Sequence, residues 1–174
     1  MIEPNIIGIS GYKGSGKDTF ARQLEQLGYE RVAFADTLKD ILSIIFGWER
    51  SLLEGDTEES REWREQPDEW WENKLDWDSN PILKSIFPRF TPRVAMQLIG
   101  TDLFRKHFND SIWQLSVENK LRDKEKIVVT DCRFPNELAM IKNRGGILIR
   151  VRRGEEPEWF NVAKDAADGN INAR

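Results

Sequence analysis

Apolar positions fall along the chain in two alternating textures. Asn5-Ile6-Ile7-Gly8-Ile9-Ser10 is short, apolar and β-branched, the pattern of a strand buried on both faces. From Phe20 to Leu27 the pattern changes: Phe20, Leu24 and Leu27 recur at helical spacing and Gly28 stops them. Glu30-Arg31-Val32-Ala33-Phe34-Ala35 reads as a second strand. Asp36 is placed to cap a helix through about Phe46, with Leu38, Ile41, Leu42 and Ile45 on one face and Gly47 at its end. Thr91-Pro92-Arg93 opens a further helix, with Thr as cap and Pro in the first position; Val94, Leu98, Ile99 and Leu103 line its apolar side. Asp110-Ser111 caps another through about Leu121. Lys126-Ile127-Val128-Val129-Thr130 is an apolar strand ending at Asp131. Pro135-Asn136-Glu137 starts a helix stopped at Gly145-Gly146, and Ile147-Leu148-Ile149-Arg150-Val151 is the last clear strand. Strands alternating with helices predict an α/β fold, a three-layer αβα arrangement around a mainly parallel sheet.

Residues 48–90 break this alternation. Trp48, Trp63, Trp70, Trp71 and Trp77 stand among acids, with Pro67, Pro81 and Pro88 interrupting. The segment is expected to be a partly helical, acidic, Trp-rich insertion. It is either a cap on the substrate side or an oligomer contact, or a solvated flap whose tryptophans pack on the body. Asn73-Lys74-Leu75-Asp76 spells a guanine-reading tetrad, but Asp68-Glu69-Trp70-Trp71-Glu72 before it is no buried strand. The match is therefore a coincidence.

Composition narrows the picture. The 174 residues suffice for one domain: a core of 1–47 and 91–154, the insertion at 48–90, and a polar tail at 155–174. No apolar run approaches a membrane span, and no signal-peptide pattern opens the chain. Cys132 is the only cysteine and His107 the only histidine. A disulfide framework and a His-rich metal site are thereby excluded, and a cytoplasmic setting is expected. His107 reads as a solvated cation near a helix end. Residues 49–80 carry twelve acids against four bases, leaving the remainder with 18 acids and 22 bases. A mildly basic body suited to phosphates thus carries an acidic segment. No dense Lys/Arg stripe suggests nucleic acid.

The chemistry is concentrated in Gly11-Tyr12-Lys13-Gly14-Ser15-Gly16-Lys17-Asp18-Thr19, between the first strand and the first helix. Glycines let successive backbone N–H groups converge on an anion, and the following helix adds the positive end of its dipole. Lys17 then reaches the β- and γ-phosphates of a nucleotide. A plain glycine-rich turn is the other reading. Asp18 stands where Ser or Thr usually meets magnesium, so Asp18 holds the metal through water or orients the loop. Thr19 reaches the α-phosphate or serves as the metal-side hydroxyl.

Other candidates cluster at strand ends, where ligands bind in open α/β sheets. Asp131 is the expected carboxylate near the metal, with Arg133 beside it; an ion pair supporting the sheet is the alternative. Arg152 and Arg153 follow the last strand. Asp36 and Lys39 follow the second, Asp36 being a cap alone or a substrate-side group. Arg93 at a helix start is unfavourable unless an anion is present, which makes it a phosphate-binding candidate; a merely exposed arginine at a helix start is the alternative. Gln97 shares its face.

Three blocks carry a resemblance. The loop with its Lys-Asp-Thr ending, Arg93-Val94-Ala95-Met96-Gln97-Leu98-Ile99-Gly100-Thr101-Asp102, and Thr130-Asp131-Cys132-Arg133 with Asn136-Glu137 resemble the bacteriophage deoxynucleoside monophosphate kinases. The resemblance implies a P-loop (Walker A) kinase fold and transfer from ATP, with Mg2+, to a deoxynucleoside monophosphate. It implies a phage or prophage origin, hence the host cytoplasm; no nucleic-acid or membrane partner is expected, and a homodimer is a candidate assembly. The catalytic set it implies is Lys17, Arg133 and Arg153, the last chosen over Arg152. The nucleotide-binding set is Gly11, Lys13, Gly14, Ser15, Gly16, Lys17, Asp18 and Thr19; the metal set is Asp18, Thr19 and Asp131. Asp36, Lys39, Arg93, Gln97, Asp131 and Arg133 face the acceptor. The family carries a further strand and helix, so the sheet is expected to lack an edge strand or the chain to be truncated. A kinase for another phosphorylated metabolite and a non-catalytic nucleotide-binding module are the competing readings.

Overall fold

The computed structural model describes residues 5–12 and 14–155. The described residues form two compact units, one reaching to Arg31 and resuming at Glu125, the other spanning Val32–Lys124.

The first unit holds the sheet. Strands β1 (Ile6–Ser10), β2 (Glu30–Val32), β3 (Ile127–Val129) and β4 (Ile147–Arg150) lie in the order β2-β3-β1-β4. β1 pairs in parallel with β3, Ile7 facing Val128, and with β4, Gly8 facing Leu148. The apolar runs form strands because all three β3 residues and the first four of β1 are buried. Alternation along β1 divides its side chains between two faces. Ile7 and Ile9 join Ala21 and Leu24 of helix α1 (Lys17–Gln26), with Tyr29 and Val128, in one core cluster. Gly8 points the other way, where a Cβ would lie 2.7 Å from Leu148 and 3.1 Å from Ile141 of helix α8 (Pro135–Asn143). The unit is therefore a three-layer αβα stack, as the alternation predicts. β2 stops at Val32 and β3 at Val129, shorter than their apolar runs; α1 begins three residues earlier than its apolar periodicity, at the end of the glycine loop. The polar tail and any further edge strand concern residues after Glu155, outside the described residues.

The second unit is helical. Helix α2 (Asp36–Phe46) ends at Gly47 in the left-handed conformation, φ 70°, as its glycine predicts. Asp36 is not its N-cap, however. It is the first helical residue, and its carboxylate instead accepts the N–H of Ala33 at 2.7 Å. Between Gly47 and Thr91 come α3 (Glu58–Trp63), α4 (Glu69–Lys74), a 3₁₀ turn (Trp77–Ser79) and α5 (Pro81–Ile86). Thr57, Asp68 and Asn80 cap the three helices with side-chain oxygens. Asn73-Lys74-Leu75-Asp76 spans the end of α4, with Asp76 left-handed at φ 47°, so it is no strand-end base reader.

Trp48, Trp71 and Trp77 of this stretch build a core inside the second unit, while Trp70 is exposed. Phe46 stacks on Trp48 at 4.3 Å and meets Trp71 edge-on at 5.0 Å; Trp77 lies 5.1 Å from Phe90. Three indole N–H groups find acceptors: Trp48 on Asp68, Trp71 on the Phe46 carbonyl, Trp77 on the Phe87 carbonyl. Buried indoles need such partners, so these rings are packed structure.

Helix α6 (Pro92–Gln97) starts as expected, with Thr91 accepting from the Val94 N–H at 3.2 Å. It runs on past Gly100, as Leu103 on its apolar side predicts. It widens into a π-helical stretch, Leu98–Phe108. A Cβ on Gly100 would lie 2.5 Å from Leu38, and its carbonyl accepts the Trp113 indole N–H at 2.9 Å. Gly100 is thus a packing residue. Helix α7 (Ile112–Lys120) follows, with Ser111 at its N-cap but making no capping bond.

Candidate functional site

The glycine loop joins β1 to α1, as the spacing predicts. Gly11, Gly14 and Gly16 take φ of 152°, 81° and 95°, the region that side chains with a Cβ avoid. At Gly11 the demand is doubled: a Cβ would stand 2.4 Å from the Val151 carbonyl and 2.8 Å from Ser15 Oγ. Gly16 is the N-cap residue, so Lys17 opens α1 with its amide at the helix start. The Lys17 ammonium donates to the Tyr12 carbonyl at 2.7 Å. Ser15 is buried, and its hydroxyl has no hydrogen-bond partner among the described residues. A buried hydroxyl left so is costly and marks a place where a ligand oxygen fits. Lys13 lies outside the described residues.

Electrostatics bring three more predicted residues to Lys17. Burial lowers its pKa; Asp18 opposes that shift, Arg133 adds to it, and Asp131 opposes it. The competing influences place both carboxylates and the guanidinium within the field of the ammonium. Asp18 and Thr19 are exposed, with Asp18 4.0 Å from Arg31. Among the described residues no group of three His, Cys, Asp or Glu forms a metal cage. Magnesium is ordinarily held by one or two carboxylates plus substrate phosphates, and Asp18 and Asp131 are the two carboxylates that act on Lys17.

Arg133 is exposed, and its position is set by a residue to which the sequence reading gave no role of its own. Glu137, 4 % exposed, accepts the N–H groups of Arg133 at 2.8 Å and Phe134 at 3.0 Å. The signal was present as Pro135-Asn136-Glu137, a helix start with an acid in the third position. Its value lies in fixing the turn that carries Arg133. Arg152 and Arg153 are exposed just beyond β4. Arg150, not singled out from sequence, donates to the Tyr12 hydroxyl at 2.5 Å with its guanidinium 5.4 Å from the ring centre. It braces the loop from β4.

The remaining predicted residues belong to the second unit. Lys39 is buried and donates to Glu54 at 2.6 Å. Arg50 reaches Asp40 at 2.7 Å, Asp36 at 3.5 Å, and the same Glu54. Asp36 and Lys39 are thus engaged in an ion-pair network that ties α2 to the turn after it. Arg93 is exposed and pairs with Glu65 at 2.9 Å; Gln97 is exposed one turn on. Nothing from sequence had singled out Arg64, which is buried.

The loop thus gathers glycines, a lysine opening a helix, two carboxylates and an arginine into one field. Comparison with known proteins gives a family. The family model described as deoxynucleotide monophosphate kinase matches residues 72–165. A protein of Acanthamoeba polyphaga mimivirus, provisionally named a deoxynucleotide monophosphate kinase, is 30 % identical over 163 residues, covering 85 % of this chain and 74 % of its own. The deoxynucleoside-5'-monophosphate kinase of Escherichia phage T5 is 27 % identical, covering 92 % of this chain and 82 % of its own.

Proposed function

The chain belongs to the deoxynucleotide monophosphate kinase family, and from that premise we propose that it moves the γ-phosphoryl group of ATP onto a deoxynucleoside 5'-monophosphate, releasing the diphosphate and ADP. One observation carries the choice of donor. Lys17 opens a helix behind three left-handed glycines, within the field of Asp131 and Arg133, and the buried Ser15 hydroxyl has no partner among the described residues.

Phosphoryl transfer asks the protein for position and positive charge. The loop amides and Lys17 hold the donor's β- and γ-phosphates, exchanging the Tyr12 carbonyl for a phosphate oxygen at the ammonium. Asp18, Thr19 and Asp131 would hold magnesium, which supplies charge neutralisation on the phosphates when bound. Arg133, fixed from behind by Glu137, neutralises the charge that builds on the transferring group, with Arg153 assigned the same task beyond β4. The acceptor's phosphate oxygen is already anionic, so no general base is needed. Arg93 holds the acceptor phosphate, and Gln97 faces its base or sugar. Asp36 and Lys39, engaged with Arg50 and Glu54, shape the acceptor side indirectly. The protein is assigned to the host cytoplasm, with neither membrane nor nucleic acid as partner; no helix among the described residues is long and apolar enough to cross a membrane.

The test is coupled ADP release with ATP, magnesium and each of dTMP, dGMP, dCMP and dAMP, with the ribonucleotides alongside. Turnover with at least one deoxynucleotide is the expected result. ATP binding without stimulation by any nucleotide would overturn the proposal.

A further inference from the structure

Arg64 follows α3 and is 8 % exposed, yet its Nε has no hydrogen-bond partner and its guanidinium makes no ion pair among the described residues. Buried charges are ordinarily paired, because an unpaired one forfeits its hydration for nothing. The surroundings deepen the anomaly. Burial lowers the Arg64 pKa, and the positive charges of Arg93 and Arg61 lower it further, against Glu65 and Glu54. Neither acid is available to it: Glu65 pairs with Arg93, and Glu54 with Lys39 and Arg50.

The fold nonetheless provides for this side chain. Gly55 holds φ +67°, and a Cβ there would fall 1.8 Å from Arg64 Nη2 and 2.5 Å from Nη1. Only a glycine leaves that space. The Arg64 carbonyl accepts the Arg93 N–H at 3.0 Å, which ties the end of α3 to the start of α6 and keeps the two arginines together. An apolar residue would fill the same volume without the electrostatic cost. The arrangement is explained by an anion that completes it, and a planar guanidinium matches the oxygens of a phosphate.

We propose that Arg64, with Arg93 beside it, seats the 5'-phosphate dianion of the acceptor nucleotide. This rests on the kinase reading above, in which the glycine loop takes the donor's phosphates and Arg93 the acceptor's. Arg64 is the buried, oriented member of the pair. Arg93 releases Glu65 to join it.

The experiment compares the full chain with R64M, R64K and a control, R61A. Steady-state KM is measured separately for ATP and for the deoxynucleotide. Melting temperature is measured alone and with the deoxynucleotide, the matching deoxynucleoside, inorganic phosphate or ATP. R64M is expected to raise the deoxynucleotide KM roughly 10- to 100-fold, the loss of a charge-assisted hydrogen bond, and to leave the ATP KM within about twofold. Its unliganded melting temperature should hold or rise, its stabilisation by deoxynucleotide should vanish, and its response to the deoxynucleoside should be unchanged. A lower unliganded melting temperature with a deoxynucleotide KM near wild type would make Arg64 structural and overturn the proposal. If R64M does not fold, R64K decides: it keeps the charge and loses the fork, and an unchanged deoxynucleotide KM would overturn the assignment. Stabilisation of the wild type by ATP or inorganic phosphate but not by deoxynucleotide would overturn the acceptor assignment. If wild type shows no turnover while deoxynucleotide stabilises it and not R64M, the seat stands and the kinase reading falls.

Discussion

Lys17 Nζ donates to the carbonyl of Tyr12, 2.7 Å away and five residues back, so the loop's lysine closes on its own loop. The bond pre-positions the ammonium at the place where phosphate oxygens would replace the carbonyl. It also spares a partly buried charge from standing without a partner. The helix that Lys17 opens depends on Gly16 at its cap more than on this side chain.

Lys17→Ala should therefore separate activity from stability. Removing one partly buried hydrogen bond costs about 1 kcal/mol, offset by relief of the desolvation that lowers the Lys17 pKa. Melting temperature should stay near wild type. Turnover should fall by roughly 10²- to 10³-fold or more, as for loss of a single charge-stabilising donor. ADP release and calorimetric ATP binding check both halves.

Arg133→Ala should behave similarly for a different reason. The Arg133 side chain is exposed, and its backbone N–H rather than its guanidinium is held by Glu137. The fold should be indifferent to the change within about 0.5 kcal/mol, while kcat drops by orders of magnitude. Glu137→Gln would misplace the same turn, so kcat should fall while ATP binding persists. Near-normal turnover in folded Arg133→Ala would remove Arg133 from the mechanism.

Glu54 is the centre of the ion-pair network in the helical unit. Burial pushes its pKa up, but the hydrogen bonds and charges of Lys39 and Arg50 outweigh burial and hold it below the ordinary carboxylate value. A carboxyl depressed in the folded state stabilises above its unfolded pKa. That contribution is lost as pH falls through the folded value. Glu54→Gln leaves the buried Lys39 without its counter-charge and should cost about 2–3 kcal/mol near neutrality, somewhat less than a fully buried pair. The difference from wild type should shrink as the solution is acidified below about pH 4. Chemical denaturation at several pH values measures it.

Cys132 is buried, and burial first, with Asp131 and Glu137 adding to it, raises its thiol pKa to about 12. At pH 8 the thiolate fraction is then on the order of 10⁻⁴. The native protein should resist iodoacetamide, while denaturant should release a normally reactive thiol. The folded state holds this proton longer than the unfolded chain, so Cys132 contributes stability that is lost as pH rises from about 9 toward about 12. Cys132→Ser should reduce that alkaline loss.

The chain's own pattern was enough for the α/β alternation, the loop between β1 and α1, the glycine end of α2 and the Thr91-Pro92 start of α6. Those signals are local: a left-handed glycine, a capping hydroxyl or an apolar run acts within a few residues, so sequence spacing carries it. The loop lysine and its carboxylates were legible for the same reason, being the ends of elements whose boundaries the pattern marks. The tertiary structure alone decided which charges are paired. Lys39 and Glu54 are fifteen residues apart, Tyr12 and Arg150 are 138 apart, and no periodicity links either pair. It also decided that Trp48 and Trp77 of the acidic stretch are core while Trp70 is exposed, that Gly100 is a packing residue, and that the buried Arg64 lacks a partner among the described residues. Burial and counter-charge are set by what folding brings together across long separations, and that is where sequence spacing stops carrying information.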